Sequence, residues 1–282
     1  MRWTTCKIGG LMILSSLTIG CVSISPQECA ISRGEKSQVE RGRPNVLLDT
    51  AGDAFSIPSK VLLWNRKAGN RNISSKTENE LGRYMIDNGL ESTKVRLNQY
   101  APIDEWRRLV ENKSVPAIAR YTLGTLHNVG YTLIPGRIFG DDKYNPYTDT
   151  LSVYSDIPSI AMTEVAYAKD IRSRKHPGWY VFGQEFPVLG IVHETHATQD
   201  ALNYLAMDGD PDSLSEATRV LYPRYGASVG GDMGGLLSEG DAALTIAGAV
   251  VGHIAGRRSA NRTVEVSYNT DESNTIDEGA TY

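Results

Sequence analysis

Carboxylates and imidazoles that could bind a metal ion lie in two short stretches of the chain. Glu164 lies in the first stretch, and in the second Glu194 directly follows His193 and precedes His196 by two residues. Two histidines three residues apart on a helix can bind one metal ion together. Oxygen ligands could come from Glu164, Tyr167 and Asp170. At about 100° per residue, however, His196 lies about 200° around the helix from Glu194, so the spacing does not require the imidazoles and Glu194 to converge.

The first stretch, Thr163-Glu-Val-Ala-Tyr167, resembles the HExxH segment of zinc metallopeptidases. In that segment two histidines four residues apart bind zinc, and the glutamate activates the zinc-bound water. The second stretch, Glu194-Thr-His-Ala197, is similar to the Glu-x-x-Ala helix segment in which gluzincins place their third zinc ligand. The chain therefore resembles a gluzincin over roughly residues 131–206.

The resemblance implies a scaffold that has lost its metal. Glu164 keeps the position of the catalytic base, whereas Thr163 and Tyr167 stand where the family has histidines. Threonine is a poor zinc ligand and tyrosine an uncommon one, and Glu194 alone cannot hold a catalytic zinc. We therefore expect a pseudoenzyme without a resident cofactor. The alternative is a zinc-dependent peptidase with a rearranged site built on His193, His196 and a glutamate.

A structural interpretation of the same residues is compatible with a pseudoenzyme. In this interpretation Thr163 and Tyr167 pack in the interior, and Glu164 caps a neighbouring strand or pairs with a cation.

Two predicted helices and a preceding hairpin position these residues. Ser155 and Asp156 offer an N-cap and Pro158 suits a first helical turn, which predicts a helix to about Lys169. A second helix is predicted from Pro187 to Gly209. Two strands joined by a long turn should come before them, at Tyr131–Phe139 and Thr148–Tyr154. Five tyrosines are expected around the cleft that these elements would form: Tyr131, Tyr144, Tyr147, Tyr154 and Tyr180. Tyrosine is typical of half-buried strands, and a peptide- or glycan-binding groove lined by these side chains is the alternative.

Residues 45–112 alternate between strand and helix patterns and predict a small αβ subdomain. The strands are expected at Lys60–Trp64 and, half-buried, at Thr93–Tyr100; the helices at Ser75–Gly89 and about Ile103–Glu111. A zincin-like core should follow over residues 113–256, beginning with a helix near Ala117–Asn128. The fold class is therefore α+β.

A glycine-rich helix is predicted at the end of this core. Gly248, Gly252 and Gly256 recur every four residues and form a flat stripe on a helix. Tight packing inside the protein is the preferred explanation, and assembly of an envelope lipoprotein through the stripe is the alternative. The polar residues 257–282 are expected to be disordered.

The first twenty residues are typical of an export signal. Arg2 and Lys7 precede an uncharged apolar run, and Cys21 follows in a context that resembles the lipobox of bacterial lipoproteins. Thr18 stands where the lipobox usually has leucine. We expect a lipid on Cys21, a flexible tether over residues 21–44, and a location in a bacterial cell envelope; a secreted or periplasmic protein is the alternative.

Composition narrows the classes of function that remain. The 282-residue chain has a net charge of −4, or −6 without residues 1–20, which argues against binding nucleic acid or anionic lipid by charge. Its 3 cysteines cannot form a disulfide scaffold. The sequence thus predicts a lipid-anchored envelope protein with a metallopeptidase-like scaffold that binds a peptide or protein partner.

Overall fold

The computed structural model describes residues 38–183, 187–237 and 241–278. The predicted signal peptide (residues 1–20), Cys21 and the tether as far as residue 37 lie outside the described residues.

A small mixed sheet lies at the centre of the N-terminal part. Its strands are β1 Val39–Arg41, β2 Lys94–Leu97, β3 Lys143–Asn145 and β4 Thr150–Val153, in the order β1-β2-β4-β3. The pairs β1–β2 and β2–β4 are parallel, and β3 runs antiparallel to β4 at one edge. Because β4 pairs directly with β2, one sheet joins the predicted subdomain before residue 112 to the predicted core after it.

Helices make up most of the described chain, which confirms the broad α+β class. They are α1 Val46–Phe55, α2 Ile57–Leu63, α3 Ser75–Asp87, α4 Pro102–Glu111, α5 Ala117–Ala119, α6 Thr125–Leu133, α7 Gly136–Phe139, α8 Pro158–Ser173, α9 Pro177–Gly183, α10 Pro187–Asp208, α11 Pro211–Leu237 and α12 Asp241–Glu278, with a π-helical turn at Arg120–Gly124. None of the helices in the described ranges is long and apolar enough to cross a membrane.

Two predicted strands are wrong, and both are helical. Lys60–Trp64 belongs mainly to α2, where Leu63 is buried and Val61 is exposed. Such a short apolar run does not by itself distinguish a strand from a helix. Tyr131–Phe139 is divided between α6 and α7, with Pro135 at the N-cap of α7. The strand that pairs with β4 is therefore β3, and the hairpin turn is short.

Strands β1 and β2 carry charged side chains in places where the predicted pattern did not put a buried charge. Residues 39–41, assigned to the flexible tether, form β1 instead, and β2 is buried on both faces rather than half-buried. Both differences have the same cause: Lys94 and Arg96 of β2 are buried and pair with Glu40 of β1. Arg96 also binds Glu105 at 2.8 Å. Buried charges are tolerated when they are paired in this way.

The predicted helix α8 is present, but its expected cap is not. Its N-cap is Ile157, which has no side-chain capping bond, although Pro158 lies in the first turn as predicted. Asp156 instead accepts hydrogen bonds from Ser74 and Thr77 and so supports the start of α3. A capping residue can serve a helix that is distant in sequence, and the local pattern does not show this.

Helices α11 and α12 form an antiparallel pair in which the glycine stripe is buried. A Cβ on Gly248 would overlap the backbone of Gly226, and one on Gly252 would overlap the backbone of Tyr222. The expected tight packing inside the protein is confirmed. Residues 257–278, which were expected to be disordered, continue α12 instead, and Ala260 is fully buried; the last four residues of the predicted tail lie outside the described residues.

Candidate functional site

Three helices bring together the two glutamates singled out in the sequence. The chain passes from β4 directly into α8, which carries Glu164, and α10 packs beside α8 with Glu194 facing it. Helix α11 packs against both and contributes Arg224. The sequence analysis did not single out this arginine.

Arg224 is the cation that binds both carboxylates. One of its terminal nitrogens donates to Oε1 of Glu164, and the other lies 3.4 Å from Oε1 of Glu194. The backbone N–H of Tyr144, in edge strand β3, donates to Oε2 of Glu164 at 3.1 Å. Both oxygens of Glu164 are therefore engaged. The prediction that Glu164 pairs with a cation is confirmed, and its bond to β3 is made to the middle residue of that strand rather than to a strand end.

The electrostatics of this cluster follow from two carboxylates sharing one guanidinium. Burial raises the pKa of Glu164, Arg224 opposes the rise, and the charge of Glu194 adds to it. For Arg224, burial lowers the pKa, but the two carboxylates outweigh this effect and hold it above its ordinary value. Asp232 has a raised pKa because of burial and the charge of Glu194. The arginine therefore stays charged, while ionisation of Glu164 and of Asp232 is disfavoured.

His193 belongs to a second cluster. Its Nδ1 lies 3.3 Å from Oδ2 of Asp170 and 3.4 Å from the hydroxyl of Tyr180. That hydroxyl donates to Asp170, and Arg174 binds the same carboxylate at 2.5 Å. Burial lowers the pKa of His193 although Asp170 favours its charged form. Hydrogen bonds from Tyr180 and Arg174 outweigh burial at Asp170 and lower its pKa.

The remaining candidates do not complete a metal site. His196 is exposed, whereas His193 is buried. Thr163 is buried and its hydroxyl donates to the carbonyl of Ser159 one helical turn earlier, at 2.9 Å. The Tyr167 ring packs on the imidazole of His193, with centroids 3.8 Å apart. Thr163 and Tyr167 thus pack in the interior, as expected.

Zinc does not fit the donor atoms at this place. Glu164 and Glu194 already bind a guanidinium, His193 contacts Asp170 through Nδ1, and His196 is exposed. In the part of the chain that the structure describes, no three histidine, cysteine, aspartate or glutamate side chains are grouped so that they could hold a metal ion.

Comparisons with known proteins add no relative. No protein-family model, no curated protein and no solved structure matches the chain.

Proposed function

We propose that this chain is a binding protein of a bacterial cell envelope, built on a gluzincin-like scaffold that no longer performs hydrolysis. Arg224 is the single observation that carries the proposal. It binds Glu164 and Glu194, the two residues to which the resemblance assigns the catalytic base and the third zinc ligand.

An arginine in place of a metal ion keeps a positive charge beside the carboxylates but cannot activate a water molecule. A guanidinium supplies one positive charge that both carboxylates share, and it joins α8, α10 and α11. Unlike zinc, it offers no open coordination position at which a water could become a nucleophile. Glu164, bound through both oxygens, has no such water to deprotonate.

The two alternative functions each meet an obstacle in the same geometry. A peptidase based on His193 and His196 needs the imidazoles at one centre, but His193 is held by Asp170 inside the protein and His196 faces outward. Assembly through the glycine stripe needs that stripe to be accessible, but α11 covers it.

Binding of a peptide or protein is supported by large apolar side chains left exposed on one group of helices. The rings of Phe55 in α1 and Phe139 in α7 are in tilted contact, with centroids 4.7 Å apart and planes at 59°, and each residue is more than half exposed. Apolar residues on α1, α2 and α6 are also exposed, among them Val46, Leu47, Val61, Leu126 and Leu133. Exposed apolar surface of this kind marks interaction sites on folded proteins.

Hydrolysis of denatured casein with added zinc tests the proposal, with the Glu164→Gln variant as the control. We expect no cleavage above the buffer rate by either protein. Cleavage by the unmodified protein that Glu164→Gln abolishes would show a working catalytic base and would refute the proposal.

A further inference from the structure

Trp64 adopts a backbone conformation that tryptophan rarely takes. It ends helix α2 with φ 49° and ψ 34°, in the left-handed region where glycine or asparagine is usual. Its side chain is nevertheless 62% exposed. An unfavourable backbone geometry that holds a large aromatic ring at the surface is characteristic of functional sites.

Two side chains of α12 fix the orientation of the indole ring. The imidazole of His253 stacks on it, with centroids 4.2 Å apart and planes at 20°. Arg257, one helical turn later, places its guanidinium carbon 4.6 Å from the ring centroid. His253 is itself buried, and its Nε2 lies 2.8 Å from the carbonyl oxygen of Leu62, to which it donates. The ring is therefore held in place from α12.

A cavity of about 580 Å³ opens beside Trp64, between α2, α11 and α12. This volume is within the range of small-molecule sites, about 300–1,000 Å³. Its charged groups come in equal numbers of each sign. They are the acids Asp212 and Glu216 and the arginines Arg219 and Arg257.

The amides of this cavity add donors and acceptors. Asn65 and Asn261 line it, and the contacts of the charged groups are long: Lys67 to Glu216 is 4.0 Å, and Arg219 to Asn261 is 3.5 Å. Polar groups that are bound this loosely within the protein can exchange these contacts for those of a ligand.

We propose that this cavity binds a neutral saccharide, with one sugar ring packed on the exposed part of the Trp64 ring, beside His253 and Arg257. The C–H face of a pyranose is apolar and flat enough to pack on an indole. Carboxylates, amides and guanidinium groups can each bind two neighbouring hydroxyls, as donors or as acceptors. The balanced charge of the lining gives no preference for a phosphate or another ion. The site is separate from the Glu164–Arg224–Glu194 cluster and does not depend on the proposed loss of hydrolysis.

Calorimetric titration with three tetrasaccharides tests the proposal. The probes are the β-1,4-linked tetramers of N-acetylglucosamine and glucose and the α-1,4-linked tetramer of glucose, with adenosine as a stacking ligand that is not a sugar. We expect at least one tetrasaccharide to bind the purified protein, and Trp64→Gly to weaken that binding at least tenfold. Glycine suits the left-handed backbone at this position, so the variant should keep its fold, as monitored by circular dichroism.

Two further variants distinguish loss of the binding site from a non-specific effect of substitution on sugar binding. Trp179→Ala removes another exposed tryptophan, 77% exposed and outside the cavity, and should bind the sugar as the unmodified protein does. Arg219→Ala lies at the cavity surface and should weaken binding several-fold without unfolding. The proposal is overturned if no tetrasaccharide binds at millimolar concentration, if only adenosine binds, or if Trp64→Gly binds as tightly as the unmodified protein.

Discussion

At the residue scale, the interpretation of the site depends on Arg224, and part of its role could have been predicted from the sequence. Arg224 follows the buried Val220 and Leu221 by four and three residues and precedes the buried Ala227 by three. An arginine on the buried face of a helix needs an acid or a set of hydrogen-bond acceptors as its partner. The identity of the acids could not be predicted, because Glu164 and Glu194 are 60 and 30 residues away along the chain.

Loss of Arg224 should be strongly destabilising. In Arg224→Met, Glu164 and Glu194 remain as mostly buried carboxylates without a counter-charge, and we expect a loss of about 3 kcal/mol in the free energy of unfolding. Urea denaturation measures it. Arg219→Met, at an exposed position on the same helix, is the control and should change the free energy by about 0.5 kcal/mol or less.

A triple variant tests whether the loss comes from the unpaired acids. Adding Glu164→Gln and Glu194→Gln to Arg224→Met should recover a large part of the lost stability, since no buried charge is then left without a partner. A triple variant that is less stable than Arg224→Met would show that the two unpaired carboxylates are not the cause of the lost stability.

His193 should make stability depend on pH. Its folded pKa lies below the ordinary value of 6.5, so below pH 6.5 the unfolded chain takes up a proton that the folded chain resists. The contribution of neutral His193 to the free energy of unfolding is therefore complete above pH 6.5. It decreases as the pH falls toward the folded pKa, and the loss at pH 5.5 is at most about 1.4 kcal/mol.

Melting temperatures from pH 7.5 to 5.5 measure this effect. We expect His193→Gln to lose less stability than the unmodified protein over this interval, because glutamine does not titrate. His176→Gln replaces an exposed imidazole outside this cluster and is the control. Identical slopes for the unmodified protein and His193→Gln would contradict the account.

At the element scale, the predictable elements were those marked by local signals. The strands β2 and β4 lie within the predicted Thr93–Tyr100 and Thr148–Tyr154, whereas the 27-residue helix α11 was not predicted. Capping residues and prolines located α3, α8 and α10 to within a few residues, because those signals are local. The sequence pattern does not predict β1, because a strand rich in charged residues shows no apolar alternation. Its Glu40 is instead paired with the buried Lys94 and Arg96 of β2. Tyr131–Phe139 was assigned to a strand although α6 continues to Leu133, because a run of that composition fits either structure.

The contact between α11 and α12 should tolerate no side chain at Gly248. We expect Gly248→Ala to lower the free energy of unfolding by about 1–3 kcal/mol, because the added methyl group overlaps the backbone of Gly226. Gly235→Ala on α11, where an added Cβ meets no atom within 4 Å, is the matched control and should be neutral or slightly stabilising.

Light scattering on the same variants separates internal packing from assembly. Both should keep the molar mass of the unmodified protein. A change of oligomeric state in Gly248→Ala alone would instead support assembly through the glycine stripe.

At the scale of the whole molecule, the sheet makes the two predicted units depend on each other. The central strands β2 and β4 come from opposite sides of residue 112 and pair over four residues. We therefore expect residues 38–112 alone to be unfolded, since β2 would lose its partner β4. Circular dichroism and a thermal melt of this fragment check the expectation, with residues 38–282 as the reference; a cooperative melt of the short fragment would contradict it.

The zinc content of purified residues 22–282 tests the central claim most directly. Elemental mass spectrometry after dialysis against a weak chelator should find far less than one zinc per chain, because Arg224 already occupies the two carboxylates that a zinc ion would need. Close to one zinc per chain, lost in Glu164→Gln or Glu194→Gln, would contradict the account and would identify these glutamates as metal ligands.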